Sequence, residues 1–321
     1  MSKRNNRLSD DELRIIGQSV TTVMLGFDDA LKDFISDCVR RGLREYTITY
    51  YKREVNDFRR WLLFTDRSLM ISEVVRRDID EYIDYLQQHK QLKPGTVNAR
   101  IRALRTLFNF LYNTKQIDSN PMHKYPLMKE RRGNIETFTI KQIKALLNTP
   151  DLNTFTGQRD YTFMLLLLET GIRLNEATGI LAEDIKMSEG VVFIRQTKNH
   201  FHRYVPIQSK MKEQLRRYLK IRGTCETEHL FVTLDGKPMT RSSLQKVVRF
   251  HGDNAGIKGV RLSAHTFRHT FAKLSVINGA GIFELQKILG HSTMEMVRTY
   301  VNLFSSEVNQ KHKEFSPLKD L

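Results

Sequence analysis

From residue 27 onward, apolar residues recur every three to four positions, so the chain reads first as a series of helices. Amphipathic segments run over roughly 27–42, 47–64, 76–88 and 94–113, separated by Gly42, by DRS at 66–68 and by KPG at 93–95. In the second, Tyr50, Tyr51, Val55, Phe58, Trp61 and Leu62 supply the apolar stripe; in the fourth, Val97, Ile101, Leu104, Leu107, Phe108 and Leu111 do. Helical stripes gain stability by burial against one another, so residues 27–122 are expected to form a small all-helical domain. Residues 1–26 mix charges without a strong period and read as an extension, too short for a core of its own.

Asn120-Pro121 closes that domain, and HKYPLMKERRGN lacks any period, so 123–137 reads as a basic linker. A second domain is expected over 138–303, opening with a Thr139/Gln142 capping box ahead of IKALL. Further helices are expected near 158–170, 174–180, 208–221, 241–254, 265–277, 282–288 and 293–302. Between them VVFIR (191–195) and RYVPI (203–207) form a strand pair, and LFVT (230–233) reads as a third short strand. The fold class is therefore mainly α, with two domains and a small antiparallel β-sheet in the second. In the tail, 304–321, apolar residues are too sparse for a self-sufficient helix; Phe304, Val308, Phe315 and Leu318 could dock it on a neighbour.

Charge adds a partner class. The 321 residues carry 52 Lys+Arg against 36 Asp+Glu, a formal net charge of +16, which favours a polyanion and above all nucleic acid. Thr96, Asn98, Arg100, Arg102 and Arg105 surround the stripe of the fourth helix, and Lys129, Arg131 and Arg132 mark the linker. With Arg241, which opens a later helix, these are the candidate DNA contacts, suited to phosphates and base edges. The two cysteines, Cys38 and Cys225, are too few for a disulfide framework or a cysteine-based zinc site and suit a reducing, cytoplasmic setting. The longest apolar run, 163–168, is too short to span a bilayer, and no membrane partner is expected.

Polar residues in apolar settings carry the chemistry. LLLLETGIRLNEATGI (165–180) ends an apolar helix at Gly171, then offers Arg173, whose fork suits phosphate oxygens, and Glu176 three residues on to orient it or a neighbour. Alone, this is an ordinary structural ion pair. Lys198 sits in the hairpin connection, where an ammonium can enter a site from above. In AHTFRHTFA (264–272), His265 and Arg268 share a helical face and call for an anion. His265 and His269 have the spacing of a helical zinc site, but Thr266 stands where H-E-x-x-H needs its glutamate, and no metal is expected. LGHSTMEMVRTYVN (289–302) places His291 beside a Ser292/Glu295 capping box that starts a helix bearing Tyr300.

In this order, T-G-x-R-x-x-E, a hairpin lysine, H-x-x-R-H, L-G-H and a tyrosine nine residues on, the motifs resemble the tyrosine recombinase (phage integrase) family, in particular its compact Xer-like and mobile-element members. The resemblance covers about residues 27–302 and implies a helical core-binding domain followed by a catalytic domain. It implies that Arg173, Lys198, His265, Arg268 and His291 surround a scissile DNA phosphate that Tyr300 attacks, forming a 3′-phosphotyrosine. Lys198 is then the general acid for the departing 5′ oxygen, His265 the acceptor of the tyrosine proton, and His291 a hydrogen-bond partner of the phosphate. An unperturbed tyrosine near neutral pH is phenolate in only about one molecule per thousand, a cost of about 4 kcal/mol, which a base or cationic surroundings must offset. The covalent ester conserves the bond energy, so no cofactor, ATP or metal is implied. The expected partner is double-stranded DNA at a specific site, held by a homotetramer in synapsis, with accessory proteins as further partners.

The resulting expectation is a site-specific recombinase that integrates, excises or transposes a mobile element. Two readings stand beside it, an Xer-like resolvase of chromosome or plasmid dimers and a DNA-binding accessory protein that does not cut. A relaxing enzyme of the type IB topoisomerase kind would share the covalent step but act as a monomer without site preference.

Overall fold

A computed structural model describes residues 25–130, 135–195 and 202–290, together with Met294, Val297, Arg298 and Tyr300. The chain divides into two compact units, residues 1–133 and 134–321, each with its own apolar core. Cys38 lies in the first unit and Cys225 in the second, both unpaired.

In the first unit, helices α1 (Phe27–Arg40), α2 (Glu45–Phe64), α3 (Arg76–Asp84) and α4 (Pro94–Asn113) pack their stripes together. Phe58 stacks on Trp61 and meets Tyr82 edge-on, so the centre of this core is aromatic. The third expected helix changes its winding rather than its length: α3 stops at Asp84 and the chain stays helical, as a π-helix, over Tyr85–His89. The start of the expected linker also behaves differently. Tyr125 is buried in this core, its hydroxyl donates to Asp80 Oδ1 at 2.6 Å, and Asn98 holds Met128 through two backbone hydrogen bonds. An aperiodic segment reads as a linker, yet here specific side chains fasten it to α4 and α3.

The second unit starts with α5 (Ile140–Leu147), whose capping box forms as the sequence suggests: Gln142 N–H donates to Thr139 Oγ1 and Thr139 N–H to Gln142 Oε1. Helix α6 (Phe155–Thr170) is apolar on most sides and lies in the middle of the core, with Phe163, Met164, Leu166 and Leu167 buried. After it come α7 (Leu174–Thr178), strands β1 (Ile185–Lys186), β2 (Val191–Ile194) and β3 (Arg203–Pro206), then α8 (Ser209–Arg222), α9 (Arg241–Asn254), α10 (Ala264–Ile277) and α11 (Ile282–Leu289).

The strands form one antiparallel sheet in the order β1-β2-β3, with Val192 opposite both Ile185 and Val205. Val192, Ile194 and Val205 face the core while their neighbours along the strands are more open, the period of two that made this pair readable. The third strand is not the expected one. Residues 230–233 make only isolated bridges, His229 with Leu181 and Val232 with Pro238, and the third place in the sheet goes to β1. Leu230, Phe231 and Val232 are all buried, and a continuous apolar run reads alike as a strand or as packed loop. No helix among the described residues is long and apolar enough to cross a membrane.

Candidate active site

A helix leaves its last carbonyls without partners and carries a partial negative charge at that end. At the end of α11, three of these carbonyls are taken up by arginines. Arg203 Nε donates to Ile288 O at 2.8 Å, Arg268 Nη2 to Leu289 O at 2.8 Å, and Arg173 Nη2 to Gly290 O at 3.2 Å. Gly290 ends the helix at a φ of +64°, and a Cβ there would lie 2.9 Å from Arg203 Nη1, so a side chain would meet the guanidinium. The three cations come from β3, α10 and the start of α7, elements far apart in sequence.

Arg268 reaches from α10 to the far side of the cluster, where its Nη1 donates to Gly171 O at 2.7 Å. Gly171 caps α6 in the left-handed region, with a φ of +57°, and packs so closely on Phe271 and Leu289 that a Cβ would come within 2.5 Å of the Phe271 ring. That turn aims its carbonyl at Arg268 and leads the chain directly into Arg173. Arg268 is only 5% exposed; burial and the nearby Arg173 charge pull its pKa down to about 10, so it stays cationic at neutral pH.

Glu176, 2% exposed, joins the cluster. It accepts from the Arg173 backbone N–H (2.8 Å) and Nη1 (3.0 Å), and from Arg203 Nη1 (3.0 Å) and Nη2 (2.8 Å). Burial pushes its carboxyl up, but the Arg203 hydrogen bonds and charge, helped by Arg173, outweigh this and hold it below the usual carboxylate range. The sequence suggested that Glu176 orients Arg173 or a neighbour; that neighbour is Arg203, the stronger, bidentate partner, a residue sequence reasoning did not name. Its signal was an arginine at the inner end of a strand, indistinguishable from a solvated hairpin charge. Three guanidiniums around one carboxylate leave an excess of positive charge. Arg173 is the more open of the two arginines on Glu176, with 23% of its side chain exposed against 10% for Arg203.

Tyr300 enters the same region from the C-terminal side. Its ring packs with Ala272, Leu285, Leu289 and Val297, and its hydroxyl lies 2.9 Å from His269 Nδ1. Burial raises its pKa; the charge and hydrogen bond of Arg268, with Arg173 behind, pull the other way without overcoming it, so the phenol is neutral here. The expected field of the arginines on this tyrosine is thus present, but desolvation outweighs it. His265, in the first turn of α10, is exposed; partial desolvation and the charges of Arg268, Arg261, Arg241 and Arg173 push its pKa down. It shares the arginines' surroundings, while the imidazole against the tyrosine hydroxyl is His269. Lys198 and His291 lie outside the described residues, as does the Ser292/Glu295 capping box.

Beside this cluster, α9 lines a groove of about 720 Å³ with Arg241, Gln245 and Arg249 at successive turns, flanked by Lys246 and Arg261. Of these, sequence reasoning named only Arg241. The i, i+4, i+8 spacing of Arg241, Gln245 and Arg249 was the available signal. Among the described residues no three His, Cys, Asp or Glu side chains gather to hold a metal.

The candidate contacts of the first unit divide. Thr96, Arg102 and Lys129 are exposed. Asn98 is 1% exposed, its amide spent on Met128 and on Glu130 Oε1, and is withdrawn from any binding face. Arg100 is turned inward to the acids of α2, Glu54 at 3.2 Å and Asp57 at 3.3 Å, and Arg105 donates to Tyr125 O. Their positions flank the buried stripe, where a polar side chain must find internal partners. Arg131 and Arg132 lie outside the described residues.

Residues 136–307 match the model of the phage integrase family, and 31–118 that of the phage integrase N-terminal SAM-like domain. The chain is similar to tyrosine recombinase XerD of Staphylococcus aureus, 28% identical over 285 residues that cover 87% of this chain and 95% of the relative. It is similar to the XerD of Shewanella oneidensis at 27% over 297 residues, covering 90% and 97%. Among solved structures, a lambda integrase dimer bound to a COC′ core site shares the fold with a TM-score of 0.71 at 17% identity, covering 85% of this chain and 97% of that one. The Tn1549 transposon integrase in complex with a circular intermediate DNA does so with a TM-score of 0.70 at 20%, covering 88% and 99%.

Proposed function

The chain belongs to the phage integrase family of tyrosine recombinases, DNA strand-breaking and rejoining enzymes, and from that premise we propose that Arg173, Lys198, His265, Arg268 and His291 surround the scissile phosphate while Tyr300 attacks it. The convergence of Arg173 and Arg268 on one helix end, with the Tyr300 hydroxyl against Arg268, carries this assignment. A phosphodiester under attack gathers charge on its nonbridging oxygens, and guanidiniums held by backbone carbonyls and Glu176 are fixed in place before that charge develops. The more open Arg173 meets the phosphate first; the buried Arg268 anchors the turn at Gly171 and biases the phenol toward phenolate.

The expected reaction is a transesterification. The Tyr300 oxygen bonds to phosphorus, the bond to the 5′ oxygen breaks, and that oxygen takes a proton from Lys198. Reversal onto another strand gives exchange. The face of α9, with Arg241, Gln245, Lys246 and Arg249, supplies groove and phosphate contacts, and Thr96, Arg102 and Lys129 contribute from the first unit. A homotetramer on synapsed DNA is supported by the fold shared with a lambda integrase tetramer bound to a Holliday junction, at a TM-score of 0.71 and 14% identity. Two unpaired cysteines suit work in the cytoplasm.

The role proposed is integration, excision or transposition of a mobile element, in line with the fold shared with a transposon integrase. A second reading, resolution of chromosome or plasmid dimers, is favoured by the two XerD relatives, which the chain matches over 95% and 97% of their lengths.

A nicked suicide duplex tests both levels. Drawn from libraries of element ends and chromosomal sequence and incubated without metal or ATP, it should give a covalent protein-DNA band with the wild type and none with Tyr300→Phe, whose DNA affinity stays within about twofold. Sequencing the trapped strands then distinguishes element ends from a chromosomal site. Tight binding without a band from either protein would leave the non-cutting accessory reading in its place.

A further inference from the structure

Resting on the recombinase reading, we propose that Arg203 is a positioning residue for strand cleavage: it takes up the charge of Glu176 and ties it to the end of α11, which leaves the charge of Arg173 for the scissile phosphate. An arginine that faces a carboxylate alone forms a neutral pair, and a neutral pair attracts an anionic phosphate weakly. In this site the carboxylate has a second cation. Arg203 forks onto Glu176, with Nη1 on Oε1 at 3.0 Å and Nη2 on Oε2 at 2.8 Å, and only 10% and 2% of the two side chains are exposed. Arg173 reaches the same carboxylate with one side-chain donor, Nη1 on Oε1 at 3.0 Å.

The remaining donors divide the two arginines further. Arg173 spends Nη1 on Glu176 and Leu289 O and one hydrogen of Nη2 on Gly290 O. Its Nε and the other Nη2 hydrogen have no protein partner among the described residues, and these two atoms form one edge of the guanidinium, the fork that suits two phosphate oxygens. Arg203 instead spends Nε on Ile288 O at 2.8 Å, and the Gly290 backbone lies so close that a Cβ there would be 2.9 Å from Nη1. It cannot turn toward a phosphate without releasing both the helix end and the carboxylate.

One guanidinium thus braces three elements, β3, α7 and the end of α11. The carboxyl answers to it more than to Arg173: burial pushes Glu176 up, and the Arg203 hydrogen bond and charge lead the groups that hold it down. Two cations on one carboxylate leave one positive charge over. The more open Arg173, 23% exposed, is the one placed to present it.

The test measures single-turnover adduct formation by Arg203→Gln and Arg203→Lys at saturating suicide duplex of the sequence the wild type traps, with DNA affinity and thermal unfolding beside it. Glutamine removes the charge; lysine keeps it without the fork. Expected for R203Q is adduct formation about 10–10²-fold slower with affinity within about threefold, and for R203K a rate within about fivefold of wild type. A methylphosphonate at the scissile position removes the charge that Arg173 must meet, so on that duplex R203Q should come within about threefold of wild type. A merely structural defect would persist there. An R203Q rate within about threefold of wild type on the ordinary duplex, or a gap of equal size on both duplexes, would overturn the assignment. Should R203Q not fold, an R203K slower than wild type by about 10²-fold would do the same.

A readout without DNA keeps this separate from the recombinase reading. Carboxyl ¹³C titration of the glutamate-labelled full chain, assigned with Glu176→Gln, should find the Glu176 carboxyl below the usual range in the wild type, raised in R203Q, and raised less in Arg173→Gln. A larger rise in R173Q would make Arg173 the main counter-ion and refute the proposal whatever the DNA assay gives. If the wild type forms no adduct on any duplex, the enzyme reading fails and the positioning role falls with it, even with the expected titration.

Discussion

Glu176 shows how a single residue holds the arginine cluster together. Its carboxylate is almost fully buried and bonded to both Arg173 and Arg203, so removing its charge strands two guanidiniums in a poorly solvated place. Breaking a buried pair in this way costs about 3–5 kcal/mol, and Glu176→Gln is expected to destabilise the second unit by that order in urea unfolding. The pH dependence has a definite sign. The folded carboxyl lies below its unfolded value of about 4.3, so its contribution is complete above that pH and fades as pH falls through the folded value. Wild-type stability should therefore lose this contribution below about pH 4, and Glu176→Gln should lack that component of the acid limb. A variant whose stability tracks wild type at every pH would show that Glu176 contributes nothing through charge.

Among the elements, the glycine-capped ends of α6 and α11 decide where the arginines can go. Gly171 combines a φ of +57° with a Cβ position 2.5 Å from the Phe271 ring, so alanine there meets both backbone strain and a clash. Gly171→Ala is expected to cost about 2–4 kcal/mol in equilibrium unfolding, the sum of an αL penalty and overpacking. Since the Gly171 carbonyl also receives Arg268, cleavage should fall further than stability loss alone explains, seen as slower adduct formation under conditions where the variant stays folded. An effect below about 0.5 kcal/mol would mean that the turn relaxes without strain.

For the whole molecule, the excess of 52 basic over 36 acidic residues acts through many weak phosphate contacts. Affinity for duplex DNA should fall steeply with salt, roughly as the power of the number of phosphates neutralised. Arg249 of α9 pairs with Asp253 at 3.7 Å, both side chains largely open, a contact of little strength that DNA displaces easily. Arg249→Ala is expected to lower the slope of log K against log salt by about one, measured by fluorescence anisotropy. An unchanged slope would take Arg249 off the phosphate backbone and make it a base reader or a bystander.

Local pattern alone determined much of this protein. The stripes of α2 and α4, the Thr139 capping box, the alternation of β2 and β3 and the ordered motifs around Arg173, His265, Arg268 and Tyr300 are short-range regularities, set by helix and strand periods and by chemistry at fixed spacing. What only the tertiary structure decided depends on residues distant in sequence. Arg203 and Glu176 stand 27 positions apart, His269 and Tyr300 stand 31, and Asn98 meets Met128 across 30. No local period encodes such pairs, because each is created when the folded core brings together elements whose own patterns are satisfied separately. The same holds for Arg100 and Asn98, read from their helix as DNA contacts, because the partners that draw them inward, Glu54 and Met128, belong to other segments.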